Sequence, residues 1–390
     1  MEFIESSLRG LNDWFWDESR WFPAGVNWTT LQSTEFEKYP DFADLKLPVF
    51  YAFLVLVIRA AFEWCIARPL GRAFGILDTD SELSMFFRRI SFWFHQRFGG
   101  SNKTGAGGHD ESQLNGQVAA ASRARSRSKS GPKRILLVPH KSTLDKFAES
   151  CWRFTYYLVI FVYGCVVLWD KPWLWDSAYC WYGYPFQPIS NDVWWYYMIE
   201  LSFYWSLTFS QFVDVQRKDF WVNFVHHIAT ILLMCFSWAN NLLRAGTMVL
   251  AIHDAADFWM EAAKMARYCN KNKLCNLLFI VFTVVWFVTR VGLFPYRIVL
   301  PGLIDAPALI GFYAAYYVFN MLLLLLLMLH VFWSIMILRV VVLAVRSGEP
   351  DDVRSDDEGD YEVEETDDER TSKRPSLSAK QNGFKAADGN

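Results

Sequence analysis

The chain has 390 residues, of which 53% are hydrophobic and 18% aromatic, with a formal net charge of only −3. That is more apolar side chain than a soluble domain of this length carries, so the class is a polytopic membrane protein. Seven scattered cysteines with no CxxC spacing exclude a disulfide framework and a zinc site.

In chain order, residues 1–46 begin MEFIESSLRGLNDWFWDESRW, which has acidic residues and no uninterrupted apolar core, unlike a cleaved signal peptide. At about 20 apolar residues per crossing, spans are predicted at 47–67, 154–169, 194–213, 221–238, 245–264, 274–294 and 309–338. The fifth is the most polar and is predicted to line a polar cavity. Lys and Arg collect between the first two spans, at Arg68, Arg72, Arg88, Arg89, Arg97 and from Arg123 to Arg134, whereas the next connection holds only Lys171. The segment 68–145 is therefore predicted to be cytosolic. Seven spans then leave the N-terminus in the lumen and the C-terminus in the cytosol. The sequon Asn27-Trp28-Thr29 falls on the lumenal side and is predicted to carry a glycan; Asn102-Lys103-Thr104 falls on the cytosolic side. Within 68–145, residues 99–133 are rich in Gly, Ser and Arg and read as a disordered linker. The tail 347–390 is acidic and apolar-poor, and reads as disordered and solvated. In it, Ser355 and Thr366 precede acidic runs, the context acid-directed kinases favour.

The run FVHHIATILLMCF puts His226 and His227 inside a span, where an ionisable group costs a few kcal/mol and commonly marks a site. On a helix the two point about 100° apart, with Thr230 one turn on from both. The next span carries a stripe: His253 with Asp257, Asp254 with Asp257, and Asp257 with Glu261, at spacings of three or four. The short connection from Ala239 to Arg244 predicts antiparallel neighbours, so that the histidine pair meets His253 and Asp254 across a shared interior. Imidazole and carboxylate without thiol point to proton transfer or nucleophilic chemistry. Glu261 and Lys264 read as an ion pair, and His330 as structural or tunnel-lining. A di-iron centre needs several HxxxH and HxxHH clusters; one adjacent pair and one distant histidine do not supply them, so no metal site is predicted.

His226 to Tyr268 resembles the longevity-assurance motif of the ceramide synthases, within their TLC domain. It shares the His pair, Ser237 to Asn241 (SWANN), Arg244 to Gly246 (RAG), His253 to Asp257 (HDAAD) and Glu261 to Met265 (EAAKM). KFAESCWRFTYY, Lys146 to Tyr157, is similar to the family's start of that domain, and WFPAGVNWTTL to its glycosylated lumenal segment. The resemblance implies an all-α bundle of about seven transmembrane helices with a TLC catalytic domain over 146–346. Many animal ceramide synthases carry a partial homeodomain after the first span. Here only Ser91 to Arg97 remains faintly similar, with Gln96 where that fold keeps Asn, so no nucleic acid is implied as a partner.

The family reaction joins the acyl group of a fatty acyl-CoA to the amine of a sphingoid base, sphinganine or sphingosine, in the endoplasmic reticulum membrane. Acyl-CoA is a substrate, and no cofactor is implied. The resemblance assigns His226 as principal imidazole, general base or nucleophile, with His227 and His253 assisting and Asp254 or Asp257 orienting a partner imidazole. It links acyl length to the connection from Tyr296 to Ala308, singling out Tyr296, Arg297, Leu300 and Asp305. Membrane lipids are further partners, as is a second ceramide synthase chain in a homo- or heterodimer. The alternative is a TLC-domain protein that binds, senses or moves lipid without catalysis; such relatives tend to lose the His or HD pair, and this chain keeps both. The topology yields one direct test: Asn27→Gln removes a glycosidase-sensitive mobility shift on gels and Asn102→Gln leaves it. The reverse pattern inverts the map.

Overall fold

In hydrocarbon every backbone N–H and C=O must find a partner within the protein, which an α-helix provides from its own segment. The computed structural model describes residues 2–76, 142–212, 214 and 219–347, and no strand occurs among them. The homeodomain-like remnant, the Asn102 sequon, the Arg123 to Arg134 cluster, Ser355 and Thr366 lie outside the described residues.

A short helix α1 (Glu2–Phe15) precedes seven long ones: α2 (Phe42–Ala73), α3 (Thr143–Leu168), α4 (Asn191–Gln211), α5 (Phe220–Ala239), α6 (Leu243–Tyr268), α7 (Asn272–Ile310) and α8 (Ala314–Ser347). Five of them, α2, α3, α5, α7 and α8, are long and apolar enough to cross a membrane. The other two, α4 and α6, have 21 and 26 residues. At 1.5 Å rise per residue they are about 31 and 39 Å long, enough to cross the hydrocarbon layer. They miss the hydropathy threshold because their polar side chains face inward, with Glu200, His253, Asp254 and Glu261 all buried. Each predicted span thus falls on one of α2 to α8. The predicted start of the second, at 154, is late. Ser142 caps α3 by accepting from the Asp145 amide at 3.1 Å, and Asp145 receives Arg68 at 2.8 Å, so a polar first turn precedes the apolar run.

Contacts between connections sort the two ends of the bundle. At one end the Ile189 amide donates to the Lys38 carbonyl at 2.8 Å, Trp238 Nε1 to the Asp41 carbonyl at 2.7 Å, and Tyr313 Oη to Tyr184 Oη at 3.0 Å. Asn241, whose φ of 55° is in the left-handed region that Asn tolerates, turns α5 into α6. Its Nδ2 donates to the carbonyls of Pro185 and Gln187 at 2.6 and 2.9 Å. The N-terminal segment therefore lies across this end, with Trp21 stacked on Phe236. At the other end Arg59 of α2 holds Asp214 through two bonds of 3.2 Å and Glu63 at 2.6 Å, while Arg153 of α3 bonds Glu149 at 2.5 Å.

The largest departure from the sequence reading is in α7. The stretch from Tyr296 to Ala308, expected from the family resemblance to be the connection between the last two spans, is helical, and the chain breaks at Gly311, where φ is 79°. Pro295 lies at the start of a π-helical turn, Pro295–Val299, directly after another, Phe287–Leu293. Proline lacks an N–H and its ring crowds the carbonyl four residues back; the wider turns accommodate both defects without leaving the helix.

Inside the bundle α6 packs chiefly on α3 and α7, whereas α5 lies mainly against α8 and α4. The predicted α5–α6 neighbourhood is thus confined to the turn between them and to Gly246, where Tyr197 Oη of α4 and Ser237 Oγ of α5 hydrogen-bond to each other. A Cβ at Gly246 would stand 2.7 Å from Ser237 Oγ. Overpacking of this kind costs about 1–3 kcal/mol. Gly246→Ala is expected to lower the melting midpoint of the detergent-solubilised protein, and Gly246→Ala with Tyr197→Phe to recover part of the loss. A single variant melting with wild type would refute the close approach.

Candidate active site

α5 places His226 six residues past its first residue, about 9 Å along the axis. His227 Nδ1 lies 3.0 Å from Gln211 Oε1, the last residue of α4, and because that oxygen only accepts, the Nδ1–H donates. Gln211 is itself fixed by donating Nε2 to the Phe220 carbonyl at 2.8 Å. The His226 ring stands edge-on to Trp333 of α8 at 5.2 Å and 5.8 Å from the His227 ring. His226 Nδ1 and Thr230 Oγ1 are buried with no hydrogen-bond partner among the described residues.

α6 and α8 build a second imidazole pair. His253 Nδ1 donates to the Val249 carbonyl at 2.6 Å, so its Nε2 is the acceptor that meets His330 Nε2 at 3.1 Å. His330 must then donate, leaving its buried Nδ1 without a partner. His330, read from sequence as structural or tunnel-lining, is part of this cluster. Beneath it, Arg290 of α7, only 3% exposed, donates to the His253 carbonyl at 2.5 Å and to Asp257 Oδ1 at 3.0 Å, with its guanidinium 4.9 Å from the Trp286 ring. Trp286 lies 6.0 Å from His330 and 6.4 Å from Trp333. The two imidazole pairs thus connect through tryptophan, not by direct contact.

The stripe on α6 divides between neighbours. Asp257 turns to Arg290, Glu261 bonds Lys264 at 2.8 Å as predicted, and Asp254 turns to α4, where its carboxyl faces that of Glu200. Among the described residues no hydrogen bond joins Asp254 or Asp257 to an imidazole; the observed partners are arginine and glutamate. No group of three or more His, Cys, Asp or Glu among them could hold a metal ion. Of the residues singled out for acyl length, Tyr296, Leu300 and Asp305 are exposed on the outer surface of α7, and Arg297 donates to the Leu174 carbonyl at 2.8 Å. The inward face of that stretch is Phe294, Ile298, Val299, Gly302 and Ala306.

Sequence reasoning passed over Arg290, Glu200 and Gln211. The first two carried a usable signal, a lone charge within an apolar span; Gln211 carried none. Removing one member of a buried ion pair strands the other charge and costs about 3–5 kcal/mol. Arg290→Met is therefore expected to melt well below wild type in detergent, and Arg290→Met with Asp257→Leu to melt nearer to it. A double variant no more stable than the single one would argue against the pair.

Residues 146–339 match the TLC domain family. Ceramide synthase 5 of Homo sapiens is 39% identical over 391 residues, 96% of this chain and 94% of the relative. Ceramide synthase 3 of Mus musculus is 38% identical over 349 residues, 88% of each chain. Ceramide synthase hyl-1 of Caenorhabditis elegans is 32% identical over 361 residues, 88% of this chain and 84% of the relative. With identity of this extent running through the bundle that holds both imidazole pairs, the chain belongs to the ceramide synthase family.

Proposed function

We propose that this chain is a ceramide synthase, an N-acyltransferase that moves a fatty acyl group from acyl-CoA to the primary amine of a sphingoid base. The relatives named above, aligned over most of both chains, support the activity. Its setting is the endoplasmic reticulum, with residues 1–46 in the lumen, a glycan on Asn27, and the tail in the cytosol.

The observation that carries the catalytic assignment is the unpartnered Nδ1 of His226. His227 is tied to Gln211 and His253 to the Val249 carbonyl. Of the four imidazoles in the bundle, His226 is the one that makes no hydrogen bond through either ring nitrogen among the described residues, and histidine suits acyl transfer because it acts as base or nucleophile near neutral pH. Neutral His226 attacks the thioester carbonyl, the C–S bond breaks, and the CoA thiolate takes up the proton that the acylated imidazole loses from its other nitrogen. The neutral amine then attacks the acyl-imidazole, and its C–N bond forms as the imidazole leaves and takes up the proton that the nitrogen loses. His227 and His253 assist, and Asp257, held by Arg290, positions the α6 side of the site. The hydrocarbon chains of both substrates enter from the bilayer, and CoA stays at the Arg59–Asp214 end.

The test uses membranes containing the full chain, a sphingoid base and a mixture of acyl-CoA lengths, with N-acylated product identified by mass. His226→Ala is expected to lose activity at near-normal abundance, and acyl-CoA alone to leave a hydroxylamine-sensitive acyl mass on the wild type. Wild-type turnover by His226→Ala sinks the assignment, and absence of the trapped acyl group favours direct aminolysis.

A further inference from the structure

The reaction proposed above releases one proton per turnover, because a sphingoid base is an ammonium ion at neutral pH and the amide is not. The structure contains an acidic group that the imidazole chemistry leaves unused. Glu200, in the middle of α4, is 0% exposed, and Asp254 on α6 is 1% exposed. Their carboxyls face each other, and all four of their oxygens are buried without a hydrogen-bond partner among the described residues. One helical turn before Glu200, on the same face, the Tyr196 hydroxyl is likewise fully buried and without a partner. One turn after it, Tyr204 packs its ring edge against His227 at 6.4 Å, which sets the pair one turn from the α5 imidazoles.

The charged and titratable side chains facing the pair are Tyr196 and Tyr204 from α4, Tyr156, Tyr157 and Cys165 from α3, Asp257 from α6 and Arg290 from α7. Arg290 is the cation among them, and it is committed to Asp257 and the His253 carbonyl. Two buried carboxyls in contact cannot both stay ionised, so they share one proton and carry a single negative charge. A site with one negative charge, an unpaired phenol and aromatic walls is complementary to a primary ammonium ion.

We propose that Glu200, with Asp254, receives the ammonium group of the sphingoid base and takes its proton. One N–H bond breaks, its electron pair stays on nitrogen, and an O–H bond forms on the carboxylate. This leaves a neutral pair of carboxylic acids and a neutral amine ready to attack the acyl group. The second proton, lost as the amide forms, passes to the departing imidazole, and the pair returns its own to solvent between turnovers.

This inference rests on the acyltransferase reading, and its test separates the two. Glu200→Gln keeps shape and removes the charge. Loss of a charge-assisted contact is expected to raise KM for the sphingoid base about 10–100-fold while KM for acyl-CoA and acylation of the protein by acyl-CoA alone are unchanged. Without its proton acceptor the variant must use amine that is already neutral, so its rate should climb about tenfold per pH unit between pH 7 and 9, steeper than wild type. Octadecylamine should inhibit the wild type far better than octadecanol, and Glu200→Gln should lose that preference. Should Glu200→Gln fail to fold, Glu200→Asp, which keeps a carboxylate, must retain the amine preference and the shallow pH profile. An unchanged KM and pH profile in Glu200→Gln, loss of both by Glu200→Asp, or equal inhibition of the wild type by amine and alcohol overturns the proposal. A wild type that forms no N-acyl product with any acyl-CoA refutes the acyltransferase reading instead.

Discussion

A guanidinium enclosed within a lipid-spanning bundle is expensive unless it is paired, and Arg290 draws its neighbours from three helices, although its Nε has no partner among the described residues. Asp257 and the His253 carbonyl come from α6, Trp286 from its own helix, and the His330 ring of α8 packs alongside, its Nε2 3.4 Å from Nη1. Satisfying this one cation sets how α6, α7 and α8 stand relative to one another. The same contacts hold His253 where its Nε2 meets His330, so the polar packing of the bundle also positions this imidazole pair. The π turn Phe287–Leu293 contributes by turning Arg290 inward from a helix whose other faces meet lipid.

Electrostatically α6 has two unlike sides. Toward α7 its carboxylate is neutralised by arginine; toward α4 its carboxyl meets another carboxyl and a cluster of tyrosines. The bundle thus holds an anion-compensated half and an anion-rich half on opposite sides of one helix.

Much of this was legible in the chain. The apolar runs and the alternation of the connections between them placed a long helix at each of the seven predicted positions, five of them apolar enough to cross a membrane. His226, His227, His253, Asp254 and Asp257 stood out because charge in an apolar run is costly. What was not legible depends on which helices touch. The short connection from Ala239 to Arg244 suggested that α5 and α6 pair along their lengths, yet helices joined by a tight turn can diverge, and here α5 lies mainly against α8 and α4, so Trp333 of α8 adjoins His226. Spacing rules pair residues within one helix; they say nothing of the Gln211 amide that meets His227 from α4, or of His330 closing on His253 across 77 positions. The connection expected from Tyr296 to Ala308 is helical for a different reason: in lipid an open backbone is costlier than a helix distorted by proline.

The two successive π turns of α7 give that helix a phase as well as a shape. Each wider turn holds an extra residue, so everything after it is rotated by about 100° relative to a regular α-helix. Beyond Val299 this rotation decides that Gly302 and Ala306 look into the bundle while Leu300, Leu303 and Asp305 look out. A substitution on the inner set alters the volume at one point and leaves its neighbours in place. Gain or loss of a single residue would exchange the inner set for the outer one along the whole distal half of α7. A change of length in this stretch therefore re-aims the whole inner surface, whereas a change of one side chain resizes the interior of the bundle at that point alone.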